Sequence, residues 1–172
     1  MALNPLLSEA TVNLIIGQLK SQFNPLLAQL DNTYSDGINL EPVDTANNIY
    51  ISYGFQTLRP PAIYVLLESH AFQYTKDPNY LDSEDKVLVV LTAEDMGDDI
   101  LTKKAWRYAR VLYGCLNLVE IVSADNRLNI ACIPQRVVYT QPVKDKLSKQ
   151  GGKFRMDCVL ELKVKHYEKF LT

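Results

Sequence analysis

The sequence predicts an α+β domain with a mostly antiparallel sheet and two long helices packed on it. Three observations carry this. Two stretches, near 8–31 and 98–122, repeat apolar residues at helical period. Five stretches read as strands, by alternation or by short apolar runs. Their order is α-β-β-β-α-β-β, and no strand-helix-strand repeat marks a parallel doubly wound sheet.

The first helix opens at Ser8, a favourable cap, with Glu9 beside the positive end of the dipole. Val12, Ile15, Ile16, Leu19, Phe23, Leu26, Leu27 and Leu30 then draw one stripe. Pro25 predicts a kink or break near Asn24. The rest of the helix is polar but almost uncharged, with Gln18, Ser21, Gln22 and Gln29 and only Lys20 charged. Such a face suits either a protein contact or a weakly charged solvent face.

Residues 31–47 form a polar loop with a turn at Asp36-Gly37. Ile49, Ile51, Tyr53 and Phe55 alternate as a strand. A second strand runs from Ala62 to about Phe72, and a third over Lys86–Thr92, both apolar enough to be buried on two faces. Residues 73–85 read as another polar loop.

The second helix starts at Asp98 and Asp99, expected as its cap, and runs to about Val122. Leu101, Ala105, Tyr108, Leu112, Leu116 and Val119 form its core stripe, with Lys103, Arg107 and Arg110 opposite. Trp106 and Tyr113 on one flank, and Val111 and Leu118 on the other, are more apolar surface than one sheet face can bury. They mark either a subunit interface or a surface covered by loops of the same chain.

Leu128, Ile130 and Cys132 alternate, and parity shifts after Pro134, which predicts a β-bulge. The last strand alternates for fourteen residues, with Phe154, Met156, Cys158, Leu160, Leu162, Val164 and His166 on one side. At ~3.3 Å per residue it would span roughly 46 Å. That length suits a hairpin arm over 127–167 reaching a neighbour, or a strand bent into two. Lys144, Lys146, Lys149 and Lys153 gather in the loop before it, which suits a solvated tip, an acidic partner or DNA phosphates.

Composition limits the function. The 172 residues suit one domain, 1–172, and 47% hydrophobic with 22% charged residues is ordinary globular composition. A net charge of -2 argues against a surface devoted to nucleic acid. Cys115, Cys132 and Cys158 have no paired spacing and read as reduced, buried thiols of a cytosolic protein. The longest apolar run, Ala62–Leu67, is far too short for a membrane span.

Chemistry is sparse. There is no phosphate-cradling glycine loop, nucleophile elbow or HExxH. His70 and His166 read as packing or interface residues. Glu94-Asp95-Met96-Gly97-Asp98-Asp99 is the best metal candidate, but it lacks EF-hand register, and helix capping explains it more simply. No enzyme activity, cofactor or metal is therefore expected.

The segment Val87–Asp95, followed by Leu101-Thr102-Lys103-Lys104-Ala105-Trp106-Arg107-Tyr108-Ala109-Arg110 and then a long terminal hairpin, resembles the tail terminator and tail-completion (neck) proteins of tailed bacteriophages. The resemblance implies a virion protein, assembled in host cytoplasm, that forms a ring, commonly a hexamer. The ring would cap the tail tube and join it to the head connector. Subunit contacts are expected at Trp106, Tyr113, Val111, Leu118, Arg155, Glu161 and Lys163. Lys144, Lys146, Lys149 and Lys153 are expected to face DNA or a neighbouring ring. The other readings are a cytosolic adaptor using the uncharged face of helix 8–31, and a small-ligand or metal-binding protein using residues 94–99.

Overall fold

In the computed structural model, residues 7–51, 59–73, 80–144 and 152–169 are described. Helix α1 (Leu7–Asp31) and helix α2 (Asp98–Leu116) pack together on one face of a seven-stranded sheet. The strands are β1 (Ile49–Tyr50), β2 (Ala62–Gln73), β3 (Tyr80–Asp95), β4 (Glu120–Val122), β5 (Leu128–Tyr139), β6 (Val143–Lys144) and β7 (Phe154–Lys169). Their order is β1-β2-β3-β7-β5-β4, with β6 pairing the start of β7. All pairs are antiparallel except β1 with β2, so the expected α+β, mostly antiparallel fold is correct.

The apolar stripes lie where periodicity puts them, except Val119, which follows the end of α2 and is only half-buried. Val12, Ile15, Ile16, Leu19, Phe23 and Leu27 of α1 are buried, as are Leu101, Ala105, Tyr108, Leu112 and Leu116 of α2. They meet the alternating inner residues Val87, Val89 and Leu91 of β3 and Cys158, Leu160, Leu162 and Val164 of β7. At about 25 cal/mol per Å² of apolar surface, this layer is the chief source of stability. The register shift between Pro134 and Arg136 is the expected bulge. On the opposite sheet face Ala62, Tyr64 and Val90 are buried in a second, smaller cluster.

Several expectations need correction. Pro25 does not break α1, which continues to Asp31. Proline removes one N–H from the ladder, but the buried Phe23 and Leu27 on either side keep the helix seated. Asp98 and Asp99 do not cap α2; Gly97 occupies that position in extended backbone without a side-chain cap bond. The second helix ends at Leu116 rather than Val122, because the chain turns through Leu118, at φ 53°, into β4.

The third strand is much longer than the apolar run 86–92, since residues 80–85, read as loop, belong to β3. The last strand is not a free arm. Strand β3 pairs it from Phe154 to Lys169, and β5 pairs its other side from Cys158 to Glu168. Its length is absorbed as the spine of its own sheet.

Candidate functional site

The 31–47 loop packs back onto α2 and decides which of its residues face outward. Asn24 holds the loop with both ends of its amide. Its Nδ2 donates to the Val43 carbonyl (2.8 Å), and its Oδ1 accepts from the Val43 N–H (3.0 Å). The Tyr108 hydroxyl donates to the Glu41 carbonyl at 2.8 Å, and burial pushes its pKa up.

Arg107 was expected opposite the core stripe, yet it is only 7% exposed. Its guanidinium donates to the Ile38 carbonyl (3.2 Å) and the Asp36 carboxylate, and lies 3.9 Å from the Tyr34 ring centre. Lys104 is also buried and pairs with Asp95 at 2.8 Å. Guanidinium and ammonium stems cover the apolar core here while their charges are matched by the loop and by the β3–α2 turn.

A narrow stripe of α2 is left uncovered. Lys103, Trp106, Arg110 and Tyr113 recur at three- and four-residue spacing and are all exposed, Trp106 at 56% and Tyr113 at 46%. Tyr34, Asp36, Lys103, Trp106, Arg107 and Arg110 line a surface groove along it. Leu118, just past the helix, is 71% exposed. Val111, expected beside these at a subunit contact, is corrected: it is 3% exposed and belongs to the chain's own core. Helix α1 covers that flank, where Leu26, Leu30, Val111 and Gly114 line a crevice between the helices.

Arg155, Glu161 and Lys163 sit on the outer sheet face in a ladder of intramolecular ion pairs. Arg155 Nε lies 3.0 Å from Glu94 Oε1, and Lys163 Nζ is 2.6 Å from Glu84. Glu161 is 2.7 Å from Arg136 and 3.9 Å from Lys86, which also meets Glu68 at 2.7 Å. Cross-strand register brings these charges together. The hydrogen bond from Arg136 holds the Glu161 carboxyl below the usual range.

The acidic turn is compensated in the same way. Glu94 faces Arg155, and Asp95 faces Lys104 and accepts the Gly97 N–H, which leaves Asp98 and Asp99 exposed on the first turn of α2. Gln18 of α1 is no free contact group either, because its Nε2 donates to the Cys115 carbonyl near the end of α2. Lys144 is exposed with its ammonium 5.9 Å from the Phe154 ring centre, and Lys153 is exposed. Lys146 and Lys149 lie outside the described residues.

The three cysteines are free and buried, and burial pushes each thiol up to about 12, so they are neutral and unreactive at ordinary pH. Among the described residues no helix is long and apolar enough to cross a membrane.

One polar group that the sequence did not connect lies inside the sheet. His70, Asp85 and His166 come from β2, β3 and β7 and converge on its inner face. The His70 Nδ1 contacts Asp85 Oδ1, and His166 Nε2 is 3.3 Å from Asp85 Oδ2. Ser83 Oγ is 2.6 Å from His166 Nδ1 and 3.2 Å from Nε2. The imidazoles stack at 5.4 Å between ring centres. Asp85 and His166 are fully buried. The only sequence signal was that both Asp85 and His166 share the parity of apolar inward residues.

No protein-family model matches the chain, and no curated protein matches it significantly. Among solved structures the chain is similar to a chain from the virion of a native gene transfer agent (GTA) particle. Identity is 14%, coverage is 88% of this chain and 91% of that one, and the TM-score is 0.45. Similarity of that size assigns no role.

Proposed function

We propose that the protein is a structural subunit of a tailed-phage virion that assembles into a ring at the neck or tail end. In this reading the ring caps the tail tube and meets the head connector. The observation that carries the proposal is the uncovered stripe of α2, where Trp106 and Tyr113 stand exposed two helical turns apart, roughly 10 Å along the axis, with Lys103 and Arg110 between and beside them. Tryptophan, tyrosine and arginine are the residues that dominate binding at protein interfaces. The likeness of the β3–α2 segment to phage neck proteins supplies the class of assembly.

The mechanism is geometric. Each subunit carries a rigid sheet and two helices, and subunits join through the α2 stripe and Leu118. The closed ring then offers a surface on which a further tube subunit does not stack. Lys144 and Lys153, with Lys146 and Lys149 between them in sequence, would face DNA in the lumen or the adjoining ring. Glu161, Arg155 and Lys163 are engaged in pairs within the subunit. At a subunit contact they would act as a charged rim rather than as anchors.

Sedimentation velocity of the wild type and of the Trp106→Glu/Tyr113→Glu variant tests this. The proposal expects a discrete assembly of several subunits for the wild type and a folded monomer for the variant. A wild type that remains monomeric throughout the micromolar range would count against it.

A further inference from the structure

We propose that His70, Asp85 and His166 form a binding site for a first-row divalent transition ion of the Zn²⁺ type. The ligand atoms would be His70 Nδ1, an Asp85 carboxylate oxygen and His166 Nε2.

The backbone builds this convergence deliberately. On β2 the odd residues face the core at first, and Val65 pairs with Val89 and Leu67 with Val87. A register shift then follows, so that Ser69 pairs with Lys86 and His70 with Asp85. The shift changes the parity of β2 and turns His70 inward beside Asp85. In an unshifted ladder Ser69 would stand there instead. Bulges re-aim side chains in this way near functional positions. The pairing of Ser83 with His166 on β7 brings the third ligand alongside.

The donor set fits the ion. One ligand atom from each of the three residues lies within 4.8 Å of the other two. Atoms bound to one Zn²⁺ at about 2.0–2.1 Å stand ~3–4 Å apart, so small side-chain adjustments close the site. Two imidazoles and one carboxylate suit a divalent transition metal better than Ca²⁺ or Mg²⁺, which prefer oxygen. Ser83 supplies an outer partner: with Nε2 on the metal, the Nδ1–H of His166 donates to Ser83 Oγ, which fixes ring and tautomer.

Asp85 provides an independent sign. Its side chain is fully buried, yet among the described residues Oδ2 has no hydrogen-bond partner; His166 Nε2 is 3.3 Å away without a hydrogen-bond alignment. A buried carboxylate oxygen without a donor is costly, and a cation at this point removes the cost. His70 is 17% exposed, which gives an ion a way in from the surface.

Isothermal titration of the full chain with Zn²⁺, together with the visible spectrum of its Co²⁺ complex, tests the site. The expected result is one ion per chain, d–d bands of a four- or five-coordinate Co²⁺, and a melting temperature raised by saturating metal. His70→Gln sits at the accessible side and should fold normally without metal, yet bind about tenfold or more weakly. Ser83→Ala should weaken binding about 10–100-fold. Absence of saturable binding to the folded wild type would overturn the proposal, and so would binding that is unchanged in both variants.

Discussion

Arg107 and Asp36 are 71 residues apart in sequence and are joined by a charge-assisted hydrogen bond that clamps the 31–47 loop onto α2. The bond from Arg107 is the main reason that the Asp36 carboxyl titrates below its ordinary value. A carboxyl depressed in the folded state contributes stability fully above its unfolded value, and loses it as pH falls through the folded one. The urea midpoint of the wild type should therefore drop from about pH 5 to about pH 2. Asp44, Asp95, Asp125 and Glu161 are lowered as well and share in that drop. The Arg107 share is read from Arg107→Gln, which should show a lower midpoint at neutral pH and a shallower acid limb.

Asn24 makes the complementary clamp from α1. Replacing it with alanine strips partners from both the N–H and the carbonyl of the buried Val43. Asn24→Ala should cost about 1–3 kcal/mol in urea unfolding. Amide exchange of Val43 should accelerate well beyond that of the sheet.

Val111 and Trp106 lie five residues apart on α2 and should respond in opposite ways. Val111→Asp places a carboxylate in the contact with α1 and should cost more than about 4 kcal/mol, seen as loss of the cooperative melt. Trp106→Glu should change stability by less than about 1 kcal/mol and act on assembly instead. Calorimetry beside sedimentation separates the two effects.

The thiols give a simple check on packing. Cys115, Cys132 and Cys158 should resist a disulfide-exchange reagent in the folded protein, and all three should react in urea. Rapid labelling of any of them in buffer would contradict their placement in the core.

Periodicity made the two helices, the inner face of β7 and the Pro134 bulge legible in the sequence, because each is written in local spacing, the bulge as a change of parity at one residue. Residues 80–85 were not legible, since Asp82, Ser83, Glu84 and Asp85 have the composition of a loop. They are strand because pairing with β2 and β7 supplies what local propensity lacks, and because Ser83 and Asp85 find polar partners inside the sheet. Arg107 and Val111 were misplaced for a related reason. Helical spacing assigns a face, but covering elements decide exposure, and here the 31–47 loop and α1 do so. Of the two readings the sequence left open for Trp106 and Tyr113, exposure fits, because the 31–47 loop meets only the edge of their stripe, at Tyr34 and Asp36, and leaves both rings largely uncovered. The histidine cluster depends on a register shift at Leu67–Ser69 that leaves no trace in composition.

The central claim is that this chain builds a ring through the exposed stripe of α2. Negative-stain images of the purified wild type at high concentration test it most directly. The account predicts closed rings of uniform diameter with an open centre, and their loss in Trp106→Glu/Tyr113→Glu. Images with no rings, or with open filaments that persist in the variant, would contradict it.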